Sequence, residues 1–474
     1  MEIDQLITYS FPKEMPRNAD YTVRVRRPEG EWEELDTLLV KVDMHQVREA
    51  SMSRFDFAGV VDIEVTCHRE SIEQVEIRPL SSALIPVVEG ERIIRFSLDR
   101  PQKLSIEING DRFHNLHLFA KAVEEGPPDP TDRGVAVIEP GIHRTEILFA
   151  KLKDQVHTLY FKPGMHHIEQ VLLSIPSNIS IYLAGGSVLV GSIVCDRVEH
   201  VKISGRGLIY LSDFGRFSAF RGVRIQYSSH IEVSGIAVID PPHYSIYLGQ
   251  AERIKINDFE SFSTRGWSDG IDMMSCSYVE IDNVFMRNSD DCIAIYGHRW
   301  GYYGDTRYIA VRNSVLWADV AHPTMIGTHG DYDANGDIIE NILFENIDIL
   351  EHHEPQEGYR GCLTINAGDK NIVRNVVYRN IRIEPFEQGR IIDIRVVWNK
   401  DYNPVPGNCI EHVYFSQIQY AGSDTPASSI IGFDESRMVK DVLIEEFYMN
   451  KQKVTDAEAG KVNIGAFTDH IRFL

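Results

Sequence analysis

Val201-Lys202-Ile203-Ser204-Gly205 is followed by Ile231-Glu232-Val233-Ser234-Gly235, Ile254-Lys255-Ile256-Asn257-Asp258, Val279-Glu280-Ile281-Asp282-Asn283 and Ile309-Ala310-Val311-Arg312-Asn313. The same frame returns at Ile342-Leu343-Phe344-Glu345-Asn346, Val376-Val377-Tyr378-Arg379-Asn380, Val413-Tyr414-Phe415-Ser416-Gln417 and Val442-Leu443-Ile444-Glu445-Glu446. First residues lie 30, 23, 25, 30, 33, 34, 37 and 29 positions apart. A short unit repeated this often in one frame is the signature of a solenoid. The units are β-branched, and neither a helix per repeat nor a fixed leucine frame accompanies them, which excludes a horseshoe repeat. The reading is an all-β, right-handed parallel β-helix. Its coils stack about 4.8 Å apart over a core of Ile, Val and Leu, and the variable excess in each repeat forms loops that wall a cleft.

Upstream, period-two runs such as Tyr21–Arg26 and Val61–Cys67 recur at intervals of roughly 8–12 residues, broken by Pro28-Glu29-Gly30 and Asn109-Gly110. They predict a small β-sandwich domain over residues 1–123. Residues 124–134 concentrate Pro, Gly and charge and read as a linker, leaving 135–474 to the β-helix.

The chain has 474 residues, with 48 Lys+Arg against 70 Asp+Glu, a formal charge of −22. That excludes a non-specific nucleic-acid binder, whose basic footprint is missing. The first residues carry no basic segment followed by an apolar run, so no signal peptide or membrane helix is expected, and the expected address is cytoplasmic, or secreted if the sequence was trimmed. Six cysteines without CxxC spacing read as reduced, mostly buried thiols rather than a zinc or disulfide framework. Asp331-Tyr332-Asp333-Ala334-Asn335-Gly336-Asp337 begins like a calcium loop, but Ile342 stands where the bidentate Glu is required, so no metal or other cofactor is expected.

Three carboxylates carry the chemistry. Asp269 lies in Trp267-Ser268-Asp269-Gly270-Ile271-Asp272, and Asp290-Asp291 follow 21 and 22 residues later, close to one coil. Stacked coils would set these acids side by side, where like charges cannot all ionise and one holds a proton near neutrality. Adjacent residues on a strand point to opposite faces, so Asp290 and Asp291 share a cleft only at a strand end or bulge.

The stretch from Trp267 to Gly297 resembles the catalytic segment of the polygalacturonases, glycoside hydrolase family 28, with its Asp-Gly followed one coil later by Asp-Asp. The resemblance extends to Leu159–Gly164, Ser177–Ser192, Gly205-Arg206-Gly207 and Asp240–Tyr247, most of residues 155–400. It implies a pectin-lyase-like β-helix and hydrolysis of α-linked poly- or oligosaccharide with inversion. Asp290 would be the general acid, and Asp269 and Asp291 would activate water. An inverting pair leaves room for that water, roughly 6.5–9.5 Å between carboxyls. The family's Gly-His-Gly segment is matched by Ala321-His322-Pro323, which makes His322 the active-site histidine, with His329 its rival.

The family's Arg-Ile-Lys, which grips a substrate carboxylate, is replaced by Thr364-Ile365-Asn366. A uronate would lose its charge-assisted partners there, so a neutral or differently held sugar is expected. Arg265, Arg299, Arg360 or Arg395 would supply another cation. Further substrate contacts are expected from His243, Tyr244, Trp267, Asp272, His298 and Trp300, with Tyr302 and Tyr303 as additional stacking rings. The N-terminal sandwich, Asn115–Ala120 and Trp267 also resemble family 49 dextranases, which makes a dextranase-like α-glucan hydrolase the alternative. A Ca²⁺-dependent polysaccharide lyase and a non-catalytic glycan-binding β-helix are the remaining rivals. Loops near Tyr302 and His352 would close one end of the cleft and make the enzyme exo-acting. The oligomeric state is not readable.

Overall fold

The computed structural model describes residues 5–153, 155–423 and 425–474. Two antiparallel-rich sheets come first. One orders Gln5–Thr8, Arg48–Ala58, Asp111–Ala122, Gln102–Ile108 and Val75–Arg78, with Leu38–Val42 on Arg48–Ala58; the other orders Glu33–Leu35, Tyr21–Arg26, Val61–Cys67, Ile93–Leu98 and Val87–Glu89. Alternation along these strands turns Val23, Val25, Ile63, Val65, Phe55 and Leu118 into one core between the sheets.

From Val135–Ile138 onward the strands form a sheet of 30 that stacks in parallel, strand on strand one coil away, apart from Gln452–Lys453, which pairs antiparallel with Val439–Met449. Crossovers between parallel strands are right-handed, and the stack is a right-handed parallel β-helix. It has three faces. The first carries the repeated pentads: Ile231 pairs with Ile254, Ile254 with Val279, Val279 with Ile309 and Ile309 with Ile342. The second runs through Ala237–Ile239, Glu260–Phe262 and Phe285–Asn288. The third runs through Ile246–Gly249, Ile271–Met274, Ile293–Tyr296, Thr324–Gly327, Gly361–Ala367 and Arg390–Val396. Inward residues of all three fill one continuous aliphatic core, and Leu148 of the short helix Thr145–Phe149 joins it near the first coil.

The Asn and Asp that end the pentads turn the corner. Asp258, Asn283, Asn313, Asn346 and Asn380 all have φ near +50 to +55°, the left-handed region that short amide and acid side chains tolerate best. Stacked asparagines then bond coil to coil: Asn346 Nδ2 donates to Asn313 Oδ1 (2.7 Å), and Asn380 Nδ2 to Asn346 Oδ1 (3.2 Å).

The second face docks on the N-terminal sheets through Leu38, Val40, Met52, Phe119, Phe262, Phe285 and Trp317. Arg287, at the coil that leads into Asp290, is fully buried there; it pairs with Asp319 (3.0 Å) and donates to Asn115 Oδ1 (2.9 Å). The Asn115–Ala120 stretch is thus the dock for the coil that carries the acids. The free cysteines are buried, apart from the half-buried Cys409. No described helix is long and apolar enough to cross a membrane.

Candidate active site

Asp290 and Asp291 stand between Phe285–Asn288 and Ile293–Tyr296, at the strand end that lets neighbouring residues share a cleft. Ile271 pairs with Ile293 and Ile293 with Thr324, so two residues earlier the same register aligns Asp269, Asp291 and His322 on successive coils. Gly270 permits this approach, since a Cβ there would lie 2.3 Å from the Cys292 carbonyl oxygen. A buried polar clamp fixes the two turns: Asn288 Nδ2 donates to the Ser261 and Ser263 hydroxyls (3.0 Å each), and the Ser289 hydroxyl donates to the Ser263 carbonyl (2.9 Å). These bonds tie the Asn288–Ser289 turn to the preceding coil, although Asn288 Oδ1 is buried without a partner.

One oxygen from each of Asp269, Asp290 and Asp291 lies within 4.8 Å of the others. A single water bonded to two carboxylates at about 2.8 Å each spans up to about 5.5 Å, so it fits between them. Asp290 accepts the Trp267 N–H at Oδ2 (2.8 Å) and the Asp291 N–H at Oδ1 (3.1 Å). Burial, then the charge of Asp291, still pushes its carboxyl up to about 6. Asp269 is held well above the usual carboxylate range by burial and by Asp272, Asp290 and Asp291. Asp272 is shifted up by burial likewise; both its oxygens are buried without a hydrogen-bond partner, and Arg299 Nη1 stands 3.8 Å away.

His322 is fully buried. Its Nδ1 lies 2.6 Å from Asp291 Oδ1 and its Nε2 2.6 Å from the Tyr359 carbonyl oxygen. With an acceptor at each nitrogen, the ring is an imidazolium. Burial opposes that charge, but Asp291 and Glu354 outweigh it and raise the imidazole to about 9. Tyr296 donates to Asp291 Oδ2 (3.3 Å). His329 takes no part in this pair: burial and Arg299 drive it well below its ordinary value, and its ring meets Tyr296 edge-on at 5.0 Å.

The other residues singled out from the sequence divide into two groups. His243, Tyr244, Trp267 and Trp300 converge beside Asp290, with ring centroids 4.1–6.4 Å apart, and the two indoles are half exposed. Away from the acids, Arg265 holds the carbonyl oxygens of Ser212 and Phe214 and pairs with Asp240 (3.0 Å). Thr364 and Asn366 are fully buried, with the Thr364 hydroxyl on the Gly361 carbonyl and the Asn366 amide beside Asp393. Arg395 pairs with Asp393 (2.6 Å), and Arg360 Nε bonds the Pro355 carbonyl (3.0 Å). His298 stacks on Tyr303 at 4.0 Å and bonds the Trp300 carbonyl (2.9 Å), fixing the 298–303 loop; Tyr302 is buried, its hydroxyl donating to Gln226 Oε1 (2.9 Å). The calcium-like segment is a capped turn, Asp331 Oδ1 accepting the N–H groups of Asp333 (3.2 Å) and Ala334 (3.0 Å).

Sequence reasoning missed Tyr296, Glu354, Tyr359 and Tyr402. Tyr402 stacks at 5.2 Å on Tyr359, and its hydroxyl is raised to about 12 by burial and by Glu354, Asp290 and Asp291. Only Tyr296 had a signal, as an outward strand position after Asp291. The others come from long loops.

Residues 217–430 match the family model described as glycosyl hydrolases family 28. A probable exopolygalacturonase B of Neosartorya fischeri is 24% identical over 217 residues, 41% of this chain and 46% of that protein. The exopolygalacturonase B of Aspergillus niger is 27% identical over 219 residues, 41% and 47%. The chain spans about half the length of these curated relatives. Among solved structures, Dex49A from Penicillium minioluteum superposes with a TM-score of 0.64 at 15% identity, covering 99% of this chain and 96% of that one. A family 28 exopolygalacturonase of Yersinia enterocolitica gives 0.51 at 10% identity, covering 86% and 96%. At these identities the two structures share the fold.

Proposed function

We propose that the chain, whose residues 217–430 match the glycoside hydrolase family 28 model, is polygalacturonase-like and hydrolyses an α-linked poly- or oligosaccharide with inversion. The observation that carries this reading is the triad of carboxyl oxygens within 4.8 Å, with one member locked to a buried imidazolium. Asp290, raised to about 6 and held by two backbone N–H groups, donates its proton to the leaving glycosidic oxygen. Asp291, paired with His322 at 2.6 Å, takes the proton of a water that Asp269 helps to orient. Bond cleavage leaves positive charge at the anomeric carbon, and the ionised carboxylate faces it from the water's side. Trp267 and Trp300 flank the scissile position as stacking surfaces. The sugar is neutral, or is an acid held by cations other than the absent Arg-Ile-Lys pair. The dextranase-like alternative rests on an N-terminal layout that Dex49A shares.

The close approach of one oxygen from each acid also suits a second reading, double displacement with retention, in which a carboxylate attacks the anomeric carbon. Hydrolysis of a panel from polygalacturonate to isomalto-oligosaccharides, with EDTA present and Asp290→Asn as control, tests the activity. Proton NMR of the first-formed anomer decides the rest: inverted product supports the water-activating pair, and retained product assigns a carboxylate as nucleophile. Cleavage that persists in Asp290→Asn, or no cleavage anywhere on the panel, refutes the acid assignment.

A further inference from the structure

Beside the acids lies a concentration of positive charge unusual in a chain of net charge −22. The Arg216 guanidinium lies over the Trp267 ring at 4.1 Å. Arg221 lies 5.1 Å from the Tyr247 ring centre and 5.9 Å from that of Trp300, and Arg299 lies 4.8 Å from Trp300. Arg216 and Arg221 come from the 211–222 connection and Arg299 from the loop after Ile293–Tyr296, so the fold gathers them. Arg299 has a counter-charge, Asp272 at 3.8 Å, and donates to the Tyr244 hydroxyl (2.8 Å). Among the described residues, Arg216 and Arg221 form no ion pair. Arg221 has one hydrogen bond, Nη1 to the Ala219 carbonyl (2.9 Å), and the buried Nε of each arginine has no partner.

Cation–π contact with the rings is worth about 0.5–2 kcal/mol and leaves the in-plane N–H groups unsatisfied. The other arginines whose buried Nε lacks a bond, Arg54, Arg307 and Arg390, each have a carboxylate. Arg216 and Arg221 therefore differ in kind: among the described residues they have no counter-charge, and their guanidiniums lie over the Trp267 ring and beside the Tyr247 and Trp300 rings respectively. Gly266 makes room for the first, since a Cβ there would stand 2.7 Å from Arg216 Nη2. His243 sits between the two indoles and accepts the Tyr244 N–H at Nδ1 (3.0 Å), which leaves Nε2 as a donor. Burial and these same three arginines press its imidazole down to about 3, so it remains neutral.

We infer that Arg216, Arg221 and Arg299 form an anion-binding subsite, taking the carboxylate or sulfate ester of a sugar unit that stacks on Trp267 and Trp300 next to the scissile bond. This rests on the hydrolase reading above and deepens it: the sugar is acidic and held from the 211–222 connection and the 298–303 loop, not from the Thr364–Asn366 strand. A planar guanidinium matches either oxyanion through paired N–H bonds.

The test is calorimetric binding to Asp290→Asn, which separates recognition from turnover. The probes are two matched pairs: trigalacturonate with its carboxyl-reduced trimer, and galactose 6-sulfate with galactose. The charged member of one pair is expected to bind at least tenfold tighter at low salt, the gap narrowing as salt rises, and the pair that shows it identifies the anion. Arg221→Gln and Arg216→Gln in that background each narrow the gap several-fold and leave the neutral partner's affinity in place. Arg216→Gln, a change at a half-buried loop residue, keeps the test open if Arg221→Gln does not fold. No preference for either charged member, or a preference that survives both substitutions, overturns the inference. Absence of hydrolysis by the unmodified protein would strike the hydrolase reading alone.

Discussion

Replacing His322 by Gln removes a charge whose presence the geometry dictates. Both ring nitrogens face oxygens at 2.6 Å, so both carry protons, and the imidazole is raised from 6.5 to about 9. At 1.36 kcal/mol per unit, that shift corresponds to about 3 kcal/mol of stability. The folded value lies above the unfolded one, so this contribution is complete below about pH 6.5 and is lost as pH rises through about 9. The amide introduced by His322→Gln can reach one of the two partners, Asp291 or the Tyr359 carbonyl, but brings no charge. A chain of this length has an unfolding entropy of about 1 kcal/mol/K, so the variant should melt about 3 °C below the parent at pH 6, the gap closing by about pH 10. Paired calorimetric melts between pH 6 and 10 measure it. A gap that stays constant with pH would mean that the ring is neutral and that Asp291 carries the proton, and Asp291 could then no longer serve as the base.

Three further outcomes follow from the same site. Asp290→Asn should lower kcat by roughly 10²–10⁴-fold on natural glycosides and far less on aryl glycosides whose leaving group needs no proton, a comparison that steady-state assays with both substrates make directly. Because burial raises Asp290 to about 6, kcat/KM should fall tenfold per pH unit above that value, and a profile flat to pH 8 would assign the proton donor elsewhere. Arg287→Ala leaves Asp319 buried and unpaired behind the catalytic coil, a loss of about 3–5 kcal/mol that should appear as a melting point several degrees lower.

Much of the architecture is legible because a β-helix repeats its instructions. The pentads announce each coil, and their terminal Asn and Asp are the residues that tolerate the left-handed corner. The 22 residues between Asp269 and Asp291 are one coil, and the corner after Asn288 is what lets Asp290 and Asp291 face the same cleft. Coil stacking brings one oxygen of each of the three acids within 4.8 Å of the others. The choice between His322 and His329 needed the structure, since only the coil register shows which ring reaches Asp291. Tyr359, Tyr402, Arg216 and Arg221 were invisible as site residues because they arrive on loops whose path no periodicity encodes. Arg265 misled in the opposite sense, as an arginine next to the motif whose charge is consumed in holding the 212–214 turn.

The charge count explains why the acids need this setting. Asp269, Asp272, Asp290 and Asp291 share one buried region with two cations, His322 and Arg299. His322 is committed to Asp291, and Arg299 lies nearest Asp272. Burial and mutual repulsion push Asp269, Asp272 and Asp290 toward the protonated form, outweighing Arg299 at the first two and His322 at the third. Asp290 and Asp291 are thereby treated unequally: the imidazolium pairs with Asp291, and at Asp290 the nearby Asp291 carboxylate together with burial outweighs the opposing charge of His322. An acid and a base at consecutive positions of one chain would otherwise have nearly identical surroundings. Here they differ because Asp291 faces the coil that carries His322, while Asp290 faces the cleft and the Trp267 amide.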